Sequence, residues 1–265
     1  MSILETKDLY FTYPDGDSRR IILNHVNTSF EKGKFYTILG SSGSGKTTFL
    51  SLIAALDKPE SGKILYNGED IEKLGYEKYR RNHVGIVFQN YNLIDYMTGL
   101  ENVMVALGIT ENKPEGDMKE YALKILESVG IDEIKAKRKI KRLSGGEQQR
   151  VAIARALATN VDIIMADEPT GNLDKKTSET IVELFKELAH VHNKCVIVVT
   201  HAPEIAKQSD VIMRLLTHMQ DFTYETLLKN IRQCLAKKSP IFGDIANNIF
   251  AWQCISSIYE HHSKC

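Results

Sequence analysis

The feature that most restricts the fold of this chain is a glycine- and serine-rich loop between two apolar segments. Residues 35–39 have the continuous apolar character of a buried β-strand, and residues 47–56 carry apolar side chains at helical spacing. Between them the chain fits G-x-x-x-x-G-K-[S/T], which between a strand and a helix forms a cradle for phosphate groups. The loop predicts an α/β nucleotide-binding fold with a site built from Gly40, Ser41, Ser42, Gly43, Ser44, Gly45, Lys46, Thr47 and Thr48.

The residue types in this loop suit phosphate chemistry. Glycines allow successive backbone N–H groups to turn towards the phosphates, and the positive end of the following helix faces the same anion. We expect Lys46 to reach the β- and γ-phosphates of ATP and Thr47 to place its hydroxyl on Mg²⁺. The sequence therefore predicts ATP and Mg²⁺ as cofactors.

A second apolar strand, predicted over residues 161–168, ends in two carboxylates. Taken alone, this pattern describes a solvated acidic turn equally well. Beside a phosphate loop, we expect Asp167 to complete the Mg²⁺ shell begun by Thr47, as in other P-loop enzymes. Glu168, one residue further on, is then placed to orient and deprotonate the attacking water.

Residues 143–150 read Leu-Ser-Gly-Gly-Glu-Gln-Gln-Arg and open an alanine-rich helix. Ser144, Gly145 and Gly146 expose hydrogen-bond donors at a helix N-terminus, which makes a second anion site or, more simply, a helix cap. Together with the phosphate loop, this run resembles the signature of the nucleotide-binding subunit of ATP-binding cassette (ABC) transporters. The resemblance covers residues 2 to about 215.

The resemblance implies a P-loop NTPase with a mostly parallel sheet flanked by helices, an N-terminal antiparallel β subdomain and a helical subdomain over about residues 90–150. It also implies a head-to-tail dimer with a second copy or a similar ABC subunit, in which the signature of one subunit closes on the ATP of the other. An integral membrane permease is expected to dock near residues 89–110.

Four further site residues follow from the resemblance alone. Tyr13 matches the aromatic residue that stacks on the adenine, and Gln89 matches the glutamine that touches Mg²⁺ and the water. Asp174 closes the Gly-Asn-Leu-Asp run that bridges the two subunits, and His201 matches the switch histidine at the γ-phosphate. The predicted catalytic group is thus Glu168, His201, Gln89 and Lys46, and the predicted metal ligands are Thr47, Gln89 and Asp167.

The amino-acid composition limits the kinds of partner, metal site and location that we expect for this chain. Lys+Arg and Asp+Glu are both 34, and this zero net charge argues against a nucleic-acid-coating role. The four cysteines lack the spacing of a zinc site. There is no secretory signal and no run of about 18 apolar residues, so we expect a cytoplasmic chain, held at the inner face of the membrane through its permease.

The function predicted from these residues is ATP hydrolysis that powers a separate membrane permease. The runs around residues 80–89 and 168–174 look most like the branch serving macrolide export, lipoprotein release and antimicrobial-peptide resistance. A peptide, lipoprotein or antibiotic-like substrate is therefore expected. The alternatives are an ABC ATPase that acts as a scaffold or signal switch in a cell-envelope or cell-division complex, and a soluble ABC ATPase outside transport.

Residues 216–265 depart from the family pattern. The family normally continues with a tight turn and one more strand, but no glycine lies between Gly171 and Gly243. Apolar residues at helical spacing on either side of a Lys-Lys-Ser-Pro run predict two amphipathic helices. Three readings stay open for this extension to the ABC ATPase domain of residues 1–215: a regulatory or permease-docking appendage, a packing extension, and the product of a shifted reading frame.

Overall fold

The computed structural model describes residues 2–16 and 18–215. Within these ranges, strands form two sheets and helices pack around them. The strands are β1 (Ser2–Asp15), β2 (Ser18–Glu31), β3 (Phe35–Leu39), β4 (Ser61–Tyr66), β5 (Glu69–Asp70), β6 (Val84–Val87), β7 (Ile163–Asp167), β8 (Cys195–Thr200) and β9 (Val211–Arg214). The helices are α1 (Lys46–Ile53), α2 (Ile71–Leu74), α3 (Tyr76–His83), α4 (Gly99–Ile109), α5 (Met118–Ser128), α6 (Glu133–Ala136), α7 (Gly145–Ala158), α8 (Lys175–His190) and α9 (Pro203–Ala206), with a 3-10 turn over Ile140–Arg142.

The larger sheet is parallel, in the order β6-β7-β8-β3-β9. Every residue of its central strand β8 is buried, because helices cover both faces of a sheet of this kind. Cys195 opens that strand, and burial raises the pKa of its thiol to about 12. The predicted α/β P-loop fold is confirmed, and its strand order places β3 and β7 on either side of β8.

The smaller sheet is antiparallel, in the order β2-β1-β4-β5. β1 and β2 form a long hairpin in which Tyr13 pairs with Arg20. β2 also approaches the loop after β3, since a Cβ on Gly45 would lie 2.7 Å from Ile22 Cγ2. This sheet is the predicted antiparallel β subdomain, and it meets the nucleotide loop along β2.

Helices predominate between residues 90 and 150. One of them is α5, with Asp117 as its N-cap and Val129 as its C-cap. The Asp117 carboxylate accepts a hydrogen bond from Glu120 N at 2.8 Å, which satisfies one of the free N–H groups at the helix start. Helices α4, α5 and α7 pack around the buried residues Val103, Leu107, Ala122, Leu126, Val151 and Ala152.

Two predicted boundaries were too long. The helix after the phosphate loop ends at Ile53 and not at Leu56, because Ala55 is left-handed with φ of 56° and Leu56 is 43% exposed. The strand predicted over residues 161–168 is only Ile163–Asp167, since Glu168 turns out of the sheet with φ of 45°. Apolar spacing alone does not reveal a left-handed residue.

The helices predicted within residues 216–265, and the question of a final strand after β9, lie outside the described residues. In the part of the chain that the structure describes, no helix is both long enough and apolar enough to cross a membrane.

One carboxylate ties three elements together at the amino edge of the parallel sheet. Asp210, just before β9, accepts a hydrogen bond of 2.7 Å from Phe35 N at the start of β3. Its two oxygens lie 3.1 and 2.9 Å from His190 Nε2 at the end of α8. Partial burial raises the pKa of Asp210, but the hydrogen bond from Phe35 and the contact with His190 outweigh it, so the net shift is downward.

We expect Asp210→Asn to lower the free energy of unfolding by about 1 kcal/mol at neutral pH, because a charged acceptor is lost at a partly exposed site. A carboxylate with a lowered folded-state pKa stabilises the protein above its unfolded pKa of about 3.9, and this is lost as pH falls through the folded value. In urea unfolding, the deficit of Asp210→Asn should therefore shrink as the pH falls below about 4. The exposed control Glu115→Gln should show no deficit, and a deficit for Asp210→Asn that does not shrink between about pH 4 and about pH 2 would contradict this explanation.

Candidate functional site

The predicted site residues of the parallel sheet meet at the carboxyl ends of three adjacent strands. The phosphate loop follows β3, Asp167 is the last residue of β7, and His201 comes directly after β8. Open parallel sheets hold their ligands at this edge. The fold therefore brings together groups that are more than 150 positions apart in the sequence, from Lys46 to His201.

The phosphate loop is held in shape by its own lysine. Lys46 is 6% exposed, and its Nζ donates to Gly40 O at 2.9 Å and to Ser41 O at 2.7 Å. Gly43 and Gly45 have φ of 76° and 87°, which L side chains rarely adopt. The ammonium group thus lies inside the loop, where an anion could exchange with its carbonyl partners.

Ser44 adds a polar atom to this loop. Its side chain is buried, and its hydroxyl has no hydrogen-bond partner among the described residues. A Cβ on Gly40 would lie 2.6 Å from that hydroxyl, so only glycine leaves it room. A buried hydroxyl without a partner is unfavourable unless a ligand oxygen or a water binds it.

Thr47 and Asp167 form an oxygen pair beside the loop. Thr47 Oγ1 donates to Asp167 Oδ1 at 3.3 Å. Burial raises the pKa of Asp167, and the neighbouring Glu168 carboxylate raises it further, whereas Thr47 and Lys46 act in the opposite direction. A cation beside these oxygens would favour the charged carboxylate, and a carboxylate with a hydroxyl suits Mg²⁺.

Glu168 is fixed by contacts from β8. Its Oε2 accepts from Thr200 Oγ1 at 2.9 Å, and its Oε1 lies 2.8 Å from His201 Nδ1. Its backbone N–H donates to Val199 O at 2.9 Å. The left-handed backbone of Glu168 is uncommon outside glycine, and these contacts hold it. Sequence reasoning did not include Thr200, although its position at the end of a buried strand is a usable signal.

Gln89 lies against the loop that follows Glu168. A Cβ on Gly171 would be 2.9 Å from Gln89 Nε2, and Asn172 Nδ2 donates to Gln89 O at 3.4 Å. The segment after β6 and the loop after β7 are thus in contact. These two segments carry Gln89 and Glu168, the residues that we expect on either side of the attacking water.

Arg155 makes contacts near the site that the sequence did not predict. It lies on α7, and its guanidinium donates to Asn92 O and, at 3.0 Å, to Tyr91 O. Tyr91 and Asn92 both have positive φ, at 60° and 48°. The arginine therefore fixes an unusual backbone turn just after Gln89, and no local sequence pattern gives its partners.

The Ser-Gly-Gly run begins α7 with a capping box. Ser144 Oγ accepts from Glu147 N at 3.3 Å, and Ser144 N donates to Glu147 Oε2 at 2.8 Å. The side chains nearest to Gly145 and Gly146 are Tyr91, Leu173 and Thr177. Within the described residues, none of these neighbours belongs to the phosphate loop.

Two further predicted residues lie on the surface. Tyr13 on β1 is 42% exposed, and its ring meets Phe11 edge to face with a centroid distance of 5.0 Å. Asp174 is the N-cap of α8, where its oxygens accept from Thr177 Oγ1 at 2.6 Å and Thr177 N at 3.0 Å. Both hydrogen bonds lower the pKa of Asp174, and the bond from the Thr177 hydroxyl has the larger effect.

The contact between α7 and α8 leads to a prediction. A Cβ on Gly146 would lie 2.5 Å from Thr177 Cγ2, and that threonine is held by Asp174. We expect Gly146→Ala to lower the free energy of unfolding by about 1–2 kcal/mol through overpacking. Adding Thr177→Ser should recover most of this, because serine keeps the hydroxyl and removes the methyl group. Urea unfolding of both single variants and the double variant tests it, and an equal loss in Gly146→Ala with and without Thr177→Ser would refute it.

Comparisons with known proteins agree with this geometry. Residues 23–171 match the family model described as ABC transporter. The uncharacterized ABC transporter ATP-binding protein YclH of Bacillus subtilis is 51% identical over 215 residues, which cover 81% of this chain and 94% of YclH. The lipoprotein-releasing system ATP-binding protein LolD of Francisella tularensis is 40% identical over 217 residues, covering 81% and 94%.

Solved structures give the same result. The dimeric structure of the ABC transporter cassette MJ0796 matches with a TM-score of 0.72 at 39% identity, covering 80% of this chain and 94% of that one. A dimeric post-hydrolysis state of MJ0796 bound to ADP and phosphate matches with a TM-score of 0.73 at 40% identity over the same shares. MJ0796 comes from Methanocaldococcus jannaschii. The chain therefore belongs to the ABC transporter family, as an ATP-binding and ATP-hydrolysing subunit.

Proposed function

We propose that this subunit powers a separate membrane permease, and that it hydrolyses ATP with the residues gathered at the carboxyl edge of its parallel sheet. ATP hydrolysis at this edge is supported by two contacts between side chains: Thr47 with Asp167, and Glu168 with His201. Both pairs lie beside the loop that contains the buried Lys46.

Nucleotide binding uses the loop after β3. The Lys46 ammonium exchanges the carbonyls of Gly40 and Ser41 for phosphate oxygens, which are stronger acceptors because they are charged. The buried hydroxyl of Ser44, together with the loop N–H groups, finds its partner on the same anion. Tyr13, exposed at the end of the β1–β2 hairpin, stacks on the adenine.

The residues present fit Mg²⁺. Thr47 Oγ1, the Asp167 carboxylate and the Gln89 side chain offer the oxygen atoms that this cation prefers. When bound, the cation neutralises charge on the phosphates. Asp167 is then held in its charged form, although burial disfavours that form in the free chain.

Glu168 acts on water. Thr200 and His201 each contact one carboxylate oxygen, so the group is oriented and keeps lone pairs for a further donor. It takes the proton from the water that attacks the γ-phosphate, while the bond from the γ-phosphorus to the bridging oxygen breaks and ADP leaves. His201, whose side chain is 67% exposed, and Gln89 help to position that water and the phosphate.

The second half of the site comes from another subunit. Ser144, Gly145 and Gly146 present donors at the start of α7, yet their own chain surrounds them with α8 and the turn at Tyr91. A head-to-tail dimer, with a second copy or a similar subunit, would set these donors on the ATP of the partner. The dimeric MJ0796 cassettes support this arrangement.

The transport role is inferred from relatives and from the surface of the helical region. We propose a peptide, lipoprotein or antibiotic-like substrate, and the name of LolD, part of a lipoprotein-releasing system, supports the lipoprotein among these. We place the permease contact near residues 89–110, where Tyr96 is 74% exposed. The subunit would then work at the inner face of the membrane.

Coexpression tests the permease assignment. Candidate ABC permeases serve as the coexpression partners, and the readout is copurification of the permease together with stimulation of ATPase activity. We expect Tyr96→Asp to abolish both, and Val191→Asp, which alters an equally exposed apolar residue at the end of α8, to leave both intact. Full stimulation with Tyr96→Asp would remove the docking assignment.

A further inference from the structure

The strand that carries Tyr13 loses one of its partners just before that residue. β1 is paired with β2 as far as Asp15 and Ser18, but its pairing with β4 ends at Tyr10 and Ser61. Residues 11–15 of β1 therefore have a strand on one side only. Glu60, immediately before β4, lies where the next β4 residue would pair.

Glu60 replaces the missing strand. Its backbone N–H donates to Tyr10 O at 3.1 Å, which continues the ladder by one bond. Its Oε1 then accepts from Thr12 N at 3.0 Å and from Thr12 Oγ1 at 2.6 Å. Thr12 is buried, so its N–H group would be costly to leave without an acceptor.

The same oxygen also reaches the other strand of the hairpin. Arg19 NH2 donates to Glu60 Oε1 at 2.7 Å, and Arg19 pairs with Pro14 in the β1–β2 ladder. The hydrogen bond from the Thr12 hydroxyl lowers the pKa of Glu60, so the group is a charged acceptor at neutral pH. One carboxylate thus fixes β1 and β2 on either side of Tyr13.

Thr12 stands between Phe11 and Tyr13 in the sequence of β1, and the rings of these two neighbours contact each other edge to face. Because side chains alternate along a strand, the orientation of residue 12 sets the direction in which residues 11 and 13 point. We propose that Glu60 is a positioning residue for the nucleotide base: it holds Thr12, and through it the exposed ring of Tyr13, in the orientation that meets the adenine. This rests on the proposed function, in which Tyr13 stacks on the base.

If Glu60 positions the ring that stacks on the base, its removal should weaken the binding of ligands that have a base and of no others. Glu60→Ala should weaken binding of MgATP about 10-fold, which corresponds to one charged hydrogen bond, and change kcat less than about twofold. Binding of inorganic Mg-tripolyphosphate, which has no base, should stay at the wild-type value. Glu60→Gln keeps an acceptor oxygen for Thr12 and should recover part of the affinity for ATP. Glu69→Ala, on the same sheet, should leave both ligands unaffected.

Calorimetric titrations of the full chain with both ligands distinguish the outcomes. Equal losses for ATP and tripolyphosphate, or no loss for ATP, in Glu60→Ala would overturn the proposal. A double-mutant cycle with Tyr13→Ala sharpens it, because residues that act together lose less in combination than the sum of their separate losses. We expect Glu60→Ala to cost little more in the Tyr13→Ala background, and fully additive losses would contradict the positioning role.

The same cycle separates this inference from the proposed site. If Tyr13→Ala binds ATP like the wild type, the stacking assignment itself is wrong and the role of Glu60 falls with it. If Tyr13→Ala weakens ATP and Glu60→Ala does not, only the role of Glu60 is overturned.

Discussion

Replacing Glu168 by glutamine is expected to lower the ATP turnover rate by about 10³-fold while leaving MgATP binding close to wild type, because the amide keeps the shape of the carboxylate but cannot accept a proton. The contacts of Glu168 support this expectation. Thr200 Oγ1 can still donate to the amide oxygen, so the local structure should survive the substitution. Steady-state phosphate release and ATP titration calorimetry give the two quantities.

Glu179→Gln is a suitable control, since it makes the same chemical change at an exposed position of α8. Its turnover should equal that of the wild type. Turnover by Glu168→Gln within about threefold of the wild type would show that another group takes the proton, because general-base catalysis contributes at least about 10²-fold.

Lys46→Ala is expected to weaken MgATP binding about 100-fold and to bring hydrolysis below detection. The lysine is the buried cation of the phosphate loop, and a charged hydrogen bond is worth about 1.5–3 kcal/mol. The loss should be the same for ATP and for Mg-tripolyphosphate, because the ammonium group contacts phosphate and not the base. This separates Lys46 from Glu60, whose effect should need the base.

The measurement is titration calorimetry of both ligands against Lys46→Ala and against Lys176→Ala, which removes an exposed lysine of α8. The latter should bind like the wild type. Wild-type affinity of Lys46→Ala for either ligand would refute the role given to Lys46.

Much of the fold followed from local patterns. The segments that became β3 and β8 are continuous apolar runs at their observed bounds, and α5 lies between the two residues that cap it. These elements are predictable because burial on both sheet faces and helix capping leave signals within a few neighbouring residues. The phosphate loop is likewise local, and its sequence context predicted the strand before it and the helix after it.

The contacts that organise the site could not be predicted from local sequence patterns. Arg155 with the carbonyls of Tyr91 and Asn92, and Glu60 with Thr12 and Arg19, each join residues at least 41 positions apart. Their partners are set by how strands end and helices pack, so no spacing rule gives them. Left-handed residues such as Ala55 and Glu168 are equally invisible to periodicity, which explains the two boundary errors.

In the proposed mechanism two subunits complete the site, with the α7 N-terminus of one on the ATP of the other. Light scattering after size exclusion, with and without MgATP, gives the oligomeric state of the Glu168→Gln protein of residues 1–265. We expect a monomer without nucleotide and a dimer with MgATP, and Lys46→Ala in the same background should prevent the dimer. A Glu168→Gln protein that binds MgATP and stays monomeric would contradict closure between two copies of this chain.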